Sequence, residues 1–88
     1  MDLRIIKLDN SRITDLAITT LLRGFEESDK PYMLQELSLA GNFITDFGAD
    51  AIADFLDYAS QRLKVLILHW NKITYKGGLK IADSLKIN

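Results

Sequence analysis

Leucine and isoleucine recur along this chain in two alternating rhythms. Leu3, Ile6 and Leu8, then Leu34, Leu37 and Leu39, then Leu63, Leu66 and Leu68 end in the every-second-residue spacing of a short strand with one buried face. After each group the spacing lengthens to three and four, in Leu21, Leu22 and Phe25, in Ile52, Ala53 and Leu56, and in Ile81, Ala82 and Leu85. That is the apolar stripe of an amphipathic helix. The pattern predicts strands near 3–8, 35–39 and 64–68 and helices near 15–27, 46–60 and 75–86. Thr14, Thr45 and Thr74 stand just before the helices, where a hydroxyl can accept a hydrogen bond from an unpaired amide. Strands separated by helices must pair in parallel. The leucines of the three strand groups and Ile6 are expected to point inward. Ile5, Lys7 and Asp9, then Glu36, Ser38 and Ala40, then Val65, Ile67 and His69 are expected to face outward.

The two rhythms form one repeated unit. Leu34-Gln-Glu-Leu-Ser-Leu-Ala-Gly-Asn42-Phe-Ile44 returns 29 positions later as Leu63-Lys-Val-Leu-Ile-Leu-His-Trp-Asn71-Lys-Ile73. An earlier copy, Leu3-Arg-Ile-Ile-Lys-Leu-Asp-Asn-Ser11-Arg-Ile13, lies 31 positions upstream of the second. The likeness continues through Ile-Thr-Asp at 13–15 and 44–46 and Ile-Thr-Tyr at 73–75. A fixed period of this length describes units that bury their apolar edges only against each other.

The thrice-repeated L-x-x-L-x-L-x-x-N-x-I core, with the Ile-Thr-Asp-x-Gly stretch after it, resembles the leucine-rich repeat in its long, ribonuclease-inhibitor-like form. The resemblance implies an α/β fold: a right-handed strand–helix solenoid with a short three-stranded parallel sheet and helices on the convex side. It also implies a buried ladder of turn amides, which gives Asn42 and Asn71 a structural role and lets Ser11 do part of that work with a shorter reach. The first copy departs from the pattern, because Ser11 replaces the asparagine and the copy is two residues longer. A modified end unit fits both departures.

At 88 residues the chain makes one domain, with repeats at about 3–33, 34–62 and 63–88. Three units are about the minimum for a stable array. No polar capping segment is visible at either end, so the expectation is a fragment or excised module of a longer array. A short natural protein or one that self-associates is the alternative. Cysteine is absent and no stretch approaches a membrane span, which favours a cytoplasmic setting. Glu26-Glu-Ser-Asp-Lys-Pro31 reads as a solvated loop between the first two units, with Tyr32 and Met33 re-entering the packed region.

Charge is segregated. Residues 34–61 carry five acidic and no basic side chains, whereas residues 62–88 carry six basic and one acidic. Neighbouring units can complement each other through exposed pairs, or the opposed surfaces can attract other molecules or other copies.

Candidate chemistry is sparse. His69 is the sole histidine, with no thiol or second imidazole to complete a metal set. Gly77-Gly78 lacks a phosphate-binding pattern. Gly48 and Gly77 read as close strand-to-helix approach or backbone latitude. No catalytic constellation is legible, so neither enzyme activity nor a cofactor is expected. The basic third unit has no aromatic stacking platform beyond Trp70, which argues against nucleic acid.

The outward positions are more informative. Trp70, His69, Ile67 and Val65 gather on one unit, with Glu36 on the next strand and Phe43 in the turn after it. An apolar cluster on a solvent face marks a contact site, and tryptophan is favoured at binding hot spots. Two blander readings stay open: Trp70 lying flat over Ala40 and Gly41, or a further unit covering these groups. Phe43 can extend the cluster or fold back onto its own turn. The expected function is a non-enzymatic protein–protein interaction module holding a protein or peptide on its open strand face, with no nucleic acid and no membrane. The alternative is a structural repeat that forms homo-oligomers through its exposed ends.

Overall fold

The computed structural model describes residues 4–27, 34–59 and 63–86. Strand and helix alternate through three units: β1 (Ile5–Lys7), α1 (Asp15–Glu26), β2 (Glu36–Ser38), α2 (Asp46–Ala59), β3 (Val65–Ile67) and α3 (Tyr75–Lys86). The strands form one parallel sheet in the order β1-β2-β3, with Ile6, Leu37 and Leu66 in register. The predicted helices agree with the observed ones to within a residue. The strands are shorter than predicted, three residues each, although backbone hydrogen bonds between units continue to Asn10–Ala40 and Gly41–His69.

The core lies between sheet and helices. Leu34, Leu37, Leu39 and Ile44 from the second unit meet Ile18 and Leu22 of α1 and Ile52, Phe55 and Leu56 of α2. Phe25 and Phe55 close one side edge-to-face, with ring centroids 6.1 Å apart. Burial depends on having a unit on both sides. Leu37 and Leu39 are fully buried, whereas Ile6, Leu8, Leu66 and Leu68 at the outer strands are only half-buried. Ala82, on the apolar stripe of α3, is exposed, and no further helix of the described residues packs on that side. Leu3, the 28–33 segment and the side chain of Leu85 lie outside the described residues.

Two asparagines tie the turns together. Asn42 Oδ1 accepts from the N–H groups of Ser11 and Ile13, each at 2.9 Å, while its Nδ2 donates to the carbonyls of Leu8 and Leu39. Asn71 repeats this one unit on: its Oδ1 accepts from Ile44 N–H, and its Nδ2 donates to the carbonyls of Leu39 and Leu68. Each amide satisfies backbone groups that leave the sheet without a partner. Ser11 contributes differently from expectation. Its backbone N–H belongs to the ladder, but its hydroxyl donates only to the Asp9 carbonyl of its own turn. With no unit upstream of it among the described residues, a longer side chain there would bridge to nothing.

Two aspartates reach the other way. The Asp15 carboxylate accepts from Thr45 N–H at 2.7 Å, from the Thr45 hydroxyl, and from Gly48 N–H at 3.0 Å. Asp46 makes the same three contacts to Thr74 and Gly77. These carboxylates thus sit at the N-termini of the following helices, where exposed amides favour negative charge. Thr14, Thr45 and Thr74 each also accept from an amide of their own helix start at 3.3 Å, as their position predicts. Exposed ion pairs link neighbouring units as well, Lys7 with Glu36 at 3.5 Å and Lys80 with Asp50 at 3.2 Å.

Candidate functional site

With the helices on one face, the other face of the sheet displays the outward side chains. Ile5 and Val65 are exposed on the flanking strands. The central strand behaves differently from expectation. Ser38, predicted to face solvent, is 2% exposed, and Ala40 is 8% exposed. The physical reason is a carboxylate from the first unit. Asp9 Oδ1 accepts from the Ser38 hydroxyl at 2.6 Å and from Ala40 N–H at 2.9 Å, and so covers the middle of the strand.

Beyond that lid the face is hollow. A depression of about 280 Å³ is floored by the small residues Ser38, Ala40 and Gly41, with Asp9 and Asn10 on one side and Ile67, His69 and Trp70 on the other. The His69 and Trp70 rings stand edge-to-face, 6.2 Å between centroids and 78° between planes. Three of the predicted contact residues are therefore brought together here. Glu36 and Val65 are register partners one step earlier on the strands and do not line the depression. Phe43 is half-exposed in the turn and lies outside it too.

Trp70 has the most unusual conformation in the site. It is 83% exposed, so it does not lie flat over Ala40 and Gly41 as a shield. Its backbone is left-handed, with φ +62°. Asn10 and Gly41 hold the equivalent turn position in the other units and share that conformation, with φ +54° and +69°. Glycine adopts it without a Cβ penalty, and asparagine is among the side chains that tolerate it best. A tryptophan there is strained by about 1–2 kcal/mol, while its ring recovers little burial in return. Gly41 is fixed for a second reason, because a Cβ there would lie 2.0 Å from Asn10 Oδ1.

Asp9 and Asn10 were not singled out by the spacing argument. The available signal was positional: aligning the copies places Asp9 beside Ala40 and His69, and Asn10 beside Gly41 and Trp70. No group of acidic, histidine or cysteine side chains suited to a metal ion occurs among the described residues. No helix of the described residues is long and apolar enough to cross a membrane.

A leucine-rich repeat family model matches residues 33–53 and 59–82, just over half of the chain. The chain belongs to the leucine-rich repeat family, whose domains generally mediate protein–protein interaction. No curated protein and no solved structure gives a match.

Proposed function

We propose that this chain is a non-enzymatic binding module that holds a protein or peptide on its open strand face, with Trp70 as the anchor. One observation carries the reading: a large apolar side chain, 83% exposed, stands in a left-handed turn position where the other units use asparagine and glycine. Strain of this kind persists where the surrounding structure enforces it and clusters at functional sites. His69 and Ile67 flank the anchor, and Phe43, Val65 and Glu36 extend the same contact region.

The finer architecture belongs to the same proposal. The first unit, with Ser11 and two extra residues, is a modified third repeat, and the whole chain forms one domain. The repeats are of the ribonuclease-inhibitor-like subtype. Their crossovers are right-handed, the hand that twisted parallel strands joined by helices adopt almost without exception. The setting is cytoplasmic, a reading supported by the absence of cysteine.

The alternative, self-assembly through the array ends, receives less support. In-register stacking of two copies would set Tyr75 of one against Ala17 of the other, at the positions where Asp15 meets Gly48 and Asp46 meets Gly77. Neither half of that contact would form. Sedimentation across a wide concentration range separates the two readings. A monomer that retains its partner, and loses it on Trp70→Asn, supports the binding module. Association that grows with concentration and survives that substitution supports self-assembly.

A further inference from the structure

We infer that the depression between Asp9 and Trp70 is a receptor for one basic side chain of the partner, an arginine or a lysine; the inference rests on the strand-face reading above. The Asp9 carboxylate is held in place, since its Oδ1 accepts from both Ser38 and Ala40. Its Oδ2 accepts from no described residue. Across the gap stands Trp70, whose ring face attracts cations through its quadrupole. The geometry offers a carboxylate and an aromatic wall with space between them.

Asp9 and Trp70 both line that depression of about 280 Å³. Asp9, Ala40 and His69 occupy equivalent positions, tied in sequence by hydrogen bonds from Asn10 N–H to the Ala40 carbonyl and from Gly41 N–H to the His69 carbonyl. The backbones of the outer units are two strand spacings apart, about 10 Å, and the Asp9 carboxylate reaches inward from one of them over the central strand. A cationic head group there would take a charge-assisted hydrogen bond of about 2.8 Å from itself to the carboxylate and stand within about 6 Å of the Trp70 ring. The floor is made of the small residues Ser38, Ala40 and Gly41, the first two lying under the Asp9 carboxylate. The methylene stem of the incoming side chain would lie along Ile67 and Ala40.

Charge selects the occupant further. No lysine or arginine lines the depression, and nearby Lys7 pairs with Glu36. An acidic anchor would meet Asp9 directly. A purely apolar anchor would strip water from that carboxylate without replacing the lost hydrogen bonds, which is costly.

The test is selection of peptides from a random phage-displayed library on the parent protein, followed by titration of the winning peptides. Three proteins are compared, the parent, Asp9→Asn and Trp70→Asn, each checked by thermal melt. Asparagine at position 9 keeps an acceptor for Ser38 and Ala40, so it removes the charge while sparing the lid. The expected result is an arginine or lysine at one fixed peptide position, whose replacement by norleucine lowers affinity for the parent about tenfold or more. In Asp9→Asn that difference should collapse. Peptides that need Trp70 but carry no basic anchor, or a norleucine effect that persists in Asp9→Asn, overturn the pocket inference and leave the strand-face reading standing. Binders indifferent to Trp70, or none at all, overturn both.

Discussion

The Asp15 carboxylate fills the space that a side chain at position 48 would need. A Cβ on Gly48 would stand 2.5 Å from Asp15 Oδ1, and 2.7 Å from Ile44 Cγ2. Gly77 stands in the same relation to Asp46, at 2.5 Å. Aspartate in one unit and glycine in the next are therefore a single device for seating successive helices. At the outer positions the device is missing: among the described residues no carboxylate meets Ala17, and Tyr75 stands where Asp15 and Asp46 do in the other units.

Two adjacent glycines in α3 should then respond in opposite directions. At Gly78 a Cβ meets nothing within 4 Å, so Gly78→Ala should stabilise by about 0.5–1 kcal/mol through helix propensity. At Gly77 a Cβ also meets Ala49 Cβ at 2.8 Å, and Gly77→Ala should destabilise by about 1–3 kcal/mol despite the same propensity gain. Urea melts of the two variants decide it. Equal shifts would show that the carboxylate can move aside.

The asparagine ladder makes a stability claim. Asn42→Ala strands the N–H groups of Ser11 and Ile13 and the Leu8 and Leu39 carbonyls to which its amide donates, and should cost about 1–3 kcal/mol. Asn71→Ala should cost less, because its turn is half-exposed and water can replace part of the amide. Matched thermal melts order the two. A variant at position 42 that melts like the parent would contradict the role assigned to the ladder.

Asp46 predicts an acid-side signature. Hydrogen bonds from the Thr74 hydroxyl and amide hold its carboxyl below the ordinary aspartate value, with Gly77 N–H and Lys76 adding to the effect and desolvation opposing it. Its folded-state pKa lies under the unfolded one, so its contribution is fully present above about pH 3.9 and lost as pH falls through the lower folded value. The stability gap between parent and Asp46→Asn should be constant from neutral pH to about 5 and close below about 4. A gap that instead widens on acidification would contradict the assignment.

Much of this arrangement is legible in the chain itself. Two spacing rules place all six elements, and the leucine register fixes which strand face is inward. The turn roles of Asn42 and Asn71 follow from the repeat to which they belong. What spacing misses is contact between units. Ser38 alternates correctly for an exposed position, yet Asp9, 29 residues earlier, covers it. The aspartate–glycine device is visible only when the aspartate of one copy is compared with the glycine of the next. Trp70 is similar: nothing in its own neighbourhood announces a left-handed backbone, but Asn10 and Gly41 at the equivalent position do.

On the proposed reading, Trp70 is kept for what it binds and not for what it holds together. Trp70→Asn measures this directly, since asparagine already occupies the equivalent position 10 at φ +54°. Folding stability should equal or exceed that of the parent, by up to about 1 kcal/mol as strain is relieved. Binding of peptides selected on the parent should weaken by about 2 kcal/mol or more in the same variant. A loss of stability of about 1 kcal/mol or more with binding intact would contradict the account, because Trp70 would then be part of the scaffold.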